Sequence, residues 1–103
     1  MSYRIILSPD AKADISSAVR WYQRRDLNVA FRFTLETLAV LRRIKRFPYQ
    51  YPHVKGSIRR ARLKRFPYYI YYALNKEGGA LVFAVLHQRR SPSIWMDRGN
   101  GLN

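Results

Sequence analysis

The chain contains no cysteine, which excludes disulfides, thiolate nucleophiles and cysteine-based zinc sites and fits a reducing compartment, the cytoplasm. Acids are nearly as scarce: 6 Asp and Glu stand against 20 Lys and Arg, for a formal net charge of +14, and none of them falls between Glu36 and Glu77. Neither His53 nor His87 is accompanied by an H-E-x-x-H spacing, a paired Asp or a Glu-rich cluster, so no metal is expected. No glycine loop suited to cradling phosphates lies between a strand and a helix, because Gly78-Gly79 sits in a hairpin turn; a nucleotide cofactor or other small-molecule ligand is therefore not expected. The first residues, Met1 to Asp10, lack the apolar run of a signal peptide, and no later stretch approaches the ~20 apolar residues of a membrane helix. The expectation is a chain that neither enters nor crosses a membrane.

What is present is enough for one core. The chain has 103 residues, 48% of them hydrophobic and 15% aromatic, so burial can offset the entropy of ordering one domain but not two. That domain is placed at residues 1–95, with 96–103 as a C-terminal tail. The charge imbalance attracts polyanions or acidic protein segments and points to a negative partner.

Tyr3 to Leu7 is short, apolar and β-branched, and reads as an opening strand. Ser8 then serves as a helix N-cap, with Pro9 at the first helical position and Asp10 at the positive end of the dipole. Ala11, Ile15, Ala18, Val19 and Tyr22 recur at helical spacing to near Arg24-Arg25-Asp26. A second helix is expected from about Val29 to Arg46, stopped by Pro48. Its apolar arc is wide: Ala30, Phe31, Leu35, Leu38 and Leu41 form one stripe, and Phe33, Val40 and Ile44 another. Such an arc is buried against two neighbours, here the sheet and the first helix, or shared with a partner protein.

Residues 48–56 read as an ordered loop rich in Pro and Tyr, followed by strands at Ile58–Lys64, Tyr68–Leu74 and Leu81–Gln88, the last central. Asn75 to Gly79 forms the hairpin turn between the last two. The sum is an α+β domain of order β-α-α-β-β-β, with a two-helix hairpin packed on a small, mainly antiparallel sheet.

Two clusters carry possible chemistry. Alternation sends Arg60, Arg62 and Lys64 to one face of their strand and Ala61 and Leu63 to the other, and Arg65 follows. With Tyr49, Tyr51, Tyr68 and Tyr69 nearby, this stripe suits phosphate contact with stacking, or the acidic tail of a protein, or merely a solvated strand face. At the end of the central strand lie His87, Gln88, Arg89 and Arg90. His87 can move protons near neutral pH and Arg89 can steady a phosphate, with Arg62 and Lys64 as further cations. The alternative is a hydrogen-bonded structural histidine.

Leu7-Ser8-Pro9-Asp10-Ala11, then Arg65-Phe66-Pro67-Tyr68-Tyr69-Ile70-Tyr71-Tyr72, a Gly turn, and Ala84 to Pro92 together resemble the RelE/ParE toxin superfamily, from Arg4 to about Trp95. The resemblance implies a toxin of a type II toxin–antitoxin pair, silenced by an antitoxin with an acidic or amphipathic tail. RelE-like members cut mRNA on the ribosome; ParE-like members poison DNA gyrase. The position of a catalytic arginine in the nucleases falls on Tyr69, a second arginine is matched by Arg89, and a functional tyrosine falls on Trp95, which has no hydroxyl. The resemblance therefore favours the ParE-like branch and gyrase inhibition over ribosome-dependent mRNA cleavage. Arg60, Arg62, Lys64, Arg65, Arg89, Arg90 and Trp95 are the expected contacts to target or antitoxin, the last three on an exposed tail running from Arg89 to Trp95. A basic nucleic-acid-binding module without enzymatic activity is the remaining alternative.

Overall fold

The computed structural model describes residues 3–102. In chain order the elements are β1 (Arg4–Leu7), α1 (Pro9–Gln23), α2 (Leu27–Arg46), β2 (His53–Lys55), β3 (Ile58–Arg62), β4 (Tyr68–Leu74), β5 (Gly79–His87) and α3 (Pro92–Asn100). The strands form one sheet in the order β1-β5-β4-β3-β2. β1 runs parallel to β5, and the other pairs are antiparallel. Fold class and the interior position of β5 agree with expectation; β2 and α3 are additional elements.

Local chemistry sets the boundaries. The Ser8 hydroxyl accepts the Ala11 N–H at 3.0 Å and Pro9 opens α1, so the chain turns from strand to helix within two residues. Asp26 caps α2 by accepting the Asn28 N–H at 2.8 Å. In the β4–β5 hairpin the Asn75 carboxamide oxygen accepts the N–H groups of Glu77 and Gly79, while Gly78 takes a φ of 83°, a conformation that costs glycine nothing.

The α1–α2 hairpin covers one face of the sheet. Its core joins Phe33, Ile44, Leu63, Ile70, Tyr72, Val82 and Val85, all nearly inaccessible. Deep in this core the Tyr72 hydroxyl donates to the Pro48 carbonyl at 2.6 Å. Burial pushes the Tyr72 phenol up to about 12, because the charged form loses its water.

α3 covers part of the opposite face. Trp95 is 6% exposed and stacks on Tyr71 with centroids 5.0 Å apart, beside Ile58, Phe83 and Leu86. Gly99 permits this close approach, since a Cβ there would collide with the Ile58 side chain. The expected exposed tail from Arg89 to Trp95 is thus corrected: Ser91-Pro92 opens a helix whose one large aromatic is buried under it.

A bulge at Phe83 re-aims β5, since Tyr71 pairs with Ala84 while Tyr72 pairs with Val82. Beyond the end of β1 the freed edge of β5 is taken up by side chains. Asp14 accepts the Val85 N–H at 2.9 Å and the Arg98 guanidinium at 2.6 Å, and Arg98 also donates to the Phe83 carbonyl at 3.2 Å. This clasp ties α1, β5 and α3 together and raises the Arg98 pKa, chiefly through its hydrogen bond to Asp14. Among the described residues no helix is long and apolar enough to cross a membrane.

Candidate functional site

α2 buries Ala30, Phe33, Thr37, Val40, Leu41 and Ile44, which fully occupies its contact with α1 and the sheet. The other half of its apolar arc faces water: Leu27 is 71% exposed, Phe31 63%, Leu35 50% and Leu38 44%. Their spacing of four, four and three residues keeps them in one line along the helix. Of the two readings of the wide arc, burial against two internal neighbours holds for one side alone, and Phe31, Leu35 and Leu38 lie outside the core.

Beside this stripe runs a groove of about 580 Å³ lined by Val29, Arg32, Leu35, Glu36, Lys64, Arg65 and Phe66. Glu36 builds its wall by accepting the Arg65 N–H at 2.6 Å, which fixes the turn after β3 against α2. β3 ends at Arg62, so Lys64 belongs to this turn and not to the strand. Lys64 and Arg65 therefore stand with Arg32 along an apolar line. Such a surface matches an amphipathic segment with acidic flanks, the apolar line supplying affinity and the cations register and steering.

Arg60 and Arg62 are elsewhere. They pair with Tyr71 and Tyr69 of β4, on the sheet face that α3 partly covers. Arg60 lies 4.0 Å from the Tyr69 ring centroid, a cation–π contact that holds it down. Arg62 donates to the Leu63 carbonyl at 3.1 Å and is exposed.

His87 closes β5 on the helix-hairpin side of the sheet, its ring 5.3 Å from that of Tyr68. With Arg90, Asp14, Trp21, Tyr22 and Tyr68 it borders a groove of about 590 Å³ between α1 and the sheet. Burial raises the Tyr22 and Tyr68 pKa values, which keeps both phenols neutral. The His87 Nδ1 accepts the Arg89 N–H at 3.1 Å. An Nδ1 that accepts this N–H favours the Nε2–H tautomer of the neutral ring. The Arg89 side chain is exposed on the turn after β5 and does not line the groove.

The expected site residues thus occupy separate places: Lys64 and Arg65 beside α2, Arg60 and Arg62 on the far sheet face, His87 and Arg90 beside α1, and Trp95 beneath α3. Of the nuclease set, Arg62 lies on the sheet face opposite His87, and of His87, Arg89, Arg62 and Lys64 the groove between α1 and the sheet is lined by His87. The exposed stripe agrees with the reading that a partner protein shares the wide arc, and it begins at Leu27, ahead of the helix start expected near Val29. Among the described residues no three His, Cys, Asp or Glu side chains converge on a metal-binding geometry.

Comparison with known proteins adds to this geometry. The family model described as ParE toxin of type II toxin–antitoxin system, parDE, matches residues 5–92. A structure of the chromosomal ParDE toxin–antitoxin system from P. aeruginosa superposes with a TM-score of 0.73 at 12% identity, covering 84% of this chain and 96% of that one. A structure of the RelBE2 toxin–antitoxin complex from Mycobacterium tuberculosis gives a TM-score of 0.54 at 14% identity, covering 84% and 99%. At these identities both likenesses are of fold. No curated protein matches the chain in sequence.

Proposed function

The chain belongs to the ParE toxin family of type II toxin–antitoxin systems, and from that premise we propose that it arrests growth by inhibiting DNA gyrase in the cytoplasm until a cognate antitoxin covers it. The observation that carries the antitoxin half is the exposed line Leu27, Phe31, Leu35 and Leu38 beside Arg32, Lys64 and Arg65. A monomer leaves such a line in water only at a cost in solubility, and a partner with an acidic amphipathic helix removes that cost and neutralises charge at once. A second copy of the chain fits poorly, because each carries a formal net charge of +14.

The gyrase half rests on what the candidate nuclease groups do. Cleavage of RNA by its 2′-hydroxyl needs a base, an acid and cations around one phosphate. Here the imidazole is held with its accepting nitrogen occupied by the Arg89 N–H, and Arg62 projects from the other face of the sheet. A protein that traps an enzyme–DNA intermediate needs only a complementary surface. The rival reading, ribosome-dependent mRNA cleavage, draws on His87 and Arg90 bordering one groove.

Induction of the wild type and of His87→Ala, each with and without the antitoxin, separates the two. The expected result is DNA breakage with intact mRNA, equal toxicity of both forms, and rescue by the antitoxin. Cuts in mRNA with unbroken DNA, abolished by His87→Ala in a protein that still folds and binds antitoxin, would establish the nuclease instead.

A further inference from the structure

At the far end of α2 from Leu27, the loop of residues 47–52 carries aromatic rings that neither the core nor the antitoxin reading uses. Tyr49 is 63% exposed yet firmly held. Its hydroxyl shares a 2.8 Å hydrogen bond with that of Tyr3, whose ring packs edge-on at 6.0 Å. Arg59 lies 5.2 Å from the Tyr49 ring centroid and clamps the loop by donating to the carbonyls of Tyr49, at 3.3 Å, and Tyr51, at 2.6 Å. From the core side Tyr72 grips the Pro48 carbonyl. Phe47 is exposed as well, with the Arg46 guanidinium 5.6 Å from its ring centroid. Between them is a hollow of about 500 Å³ whose lining residues, Tyr3, Arg46, Phe47, Pro48, Tyr49 and Gln50, include no acid. The last turn of α2 adds Arg43 and Lys45.

Large aromatic rings fixed in water contribute little to stability, and fixing them removes the entropy that a ligand would otherwise have to overcome. Two exposed rings flanked by guanidinium groups are a stacking platform with phosphate contacts alongside. We propose that this loop and the end of α2 bind an unpaired nucleic-acid strand, a base stacking on Tyr49 or Phe47 while Arg46 and its neighbours meet the backbone. An acidic peptide would use the cations and leave the rings idle, and a duplex keeps its base faces hidden, so a single strand fits best. The inference is independent of the antitoxin surface and of the toxin's target.

The test is fluorescence anisotropy of the full chain with labelled oligo-dT at graded salt, against a duplex of the same length. Tyr49→Ala should weaken oligo-dT binding about ten-fold, in the range of one lost stack, with the salt slope unchanged. Tyr49→Phe keeps the ring and should bind as wild type does, and Arg46→Ala should lower the salt slope by about one. A strand carrying 5-iodouracil should cross-link to Tyr49 or Phe47 under ultraviolet light, a readout that needs no variant. Equal binding by Tyr49→Ala and wild type, equal affinity for duplex and single strand, or cross-links only at other residues would reduce the attraction to bulk charge and overturn the proposal. So would a Tyr49→Ala protein that binds oligo-dT normally but loses a protein partner.

Discussion

Phe31→Ala tests the antitoxin surface with a magnitude taken from the structure. The side chain is 63% exposed, so of the roughly 200 Å² a phenylalanine can bury, about 125 Å² remains for a partner to cover. At ~25 cal/mol per Å² this is worth about 3 kcal/mol, of which an alanine Cβ retains about a third by area, leaving about 2 kcal/mol. The antitoxin's Kd should therefore rise about 30-fold. Because the ring is largely exposed and belongs to neither core cluster, unfolding free energy should stay within about 0.5 kcal/mol of wild type. Leu35→Asp places a negative charge beside the groove of Arg32, Lys64 and Arg65 and should weaken an acidic partner at least as much. Isothermal titration with the cognate antitoxin at fixed salt reads both, with thermal melts of the free toxins as control. Tyr49→Ala, at the other end of α2, should leave this affinity unchanged. If Phe31→Ala and Leu35→Asp both bind within three-fold of wild type, roughly 0.6 kcal/mol, the stripe is not the antitoxin site.

Asp14→Ala strands the Val85 N–H and releases Arg98; because the Arg98 side chain is 22% exposed and can be rehydrated, the loss should be about 2–3 kcal/mol, below that of a fully buried pair. It should appear as a fall in Tm of roughly 10 °C, with an Arg98→Ala double-mutant cycle showing coupling near 1 kcal/mol, and a shift smaller than about 2 °C would mean the clasp holds little. The Tyr72 phenol is raised from 10.0 to about 12, so the fold favours its neutral form. That contribution is complete below about pH 10 and is lost as pH rises through about 12. Urea midpoints should accordingly fall less steeply over that window in Tyr72→Phe, which gives up about 1 kcal/mol at neutral pH with the Pro48 hydrogen bond. Parallel alkaline slopes would contradict the assignment.

Elements whose signals are local could be read from the chain, and elements that depend on distant partners could not. Ser8-Pro9 marks the start of α1 because cap and first turn are set by adjacent residues. The same Ser-Pro pair recurs at Ser91-Pro92, and the Ser91 hydroxyl accepts the Ser93 N–H at 3.3 Å. The short α3 was nevertheless read as a tail, because the apolar run Ile94, Trp95 and Met96 has no clear helical period. β2 has three residues and joins the sheet by pairing with β3, a contact no periodicity announces. The strand parity that places His87 on the same face as Val85 was available in sequence. That Arg62 points the other way depends on the register of β3 against β4. On α2 the period separates polar from apolar, but not core from interface: Phe31 and Phe33 are equally hydrophobic, and the packing of Tyr22, Phe66 and Tyr68 around Phe33 decides that it is buried while Phe31 is not.

The proposed inhibition of gyrase and its silencing by antitoxin are tested most directly by combining purified gyrase, ATP, supercoiled plasmid and this protein, stopped with detergent and protease. Linear plasmid should accumulate with toxin dose, persist with His87→Ala and vanish when the antitoxin is added first. Unbroken plasmid and normal supercoiling at every dose, alongside mRNA cut in translating ribosomes by the same preparation, would contradict the proposal.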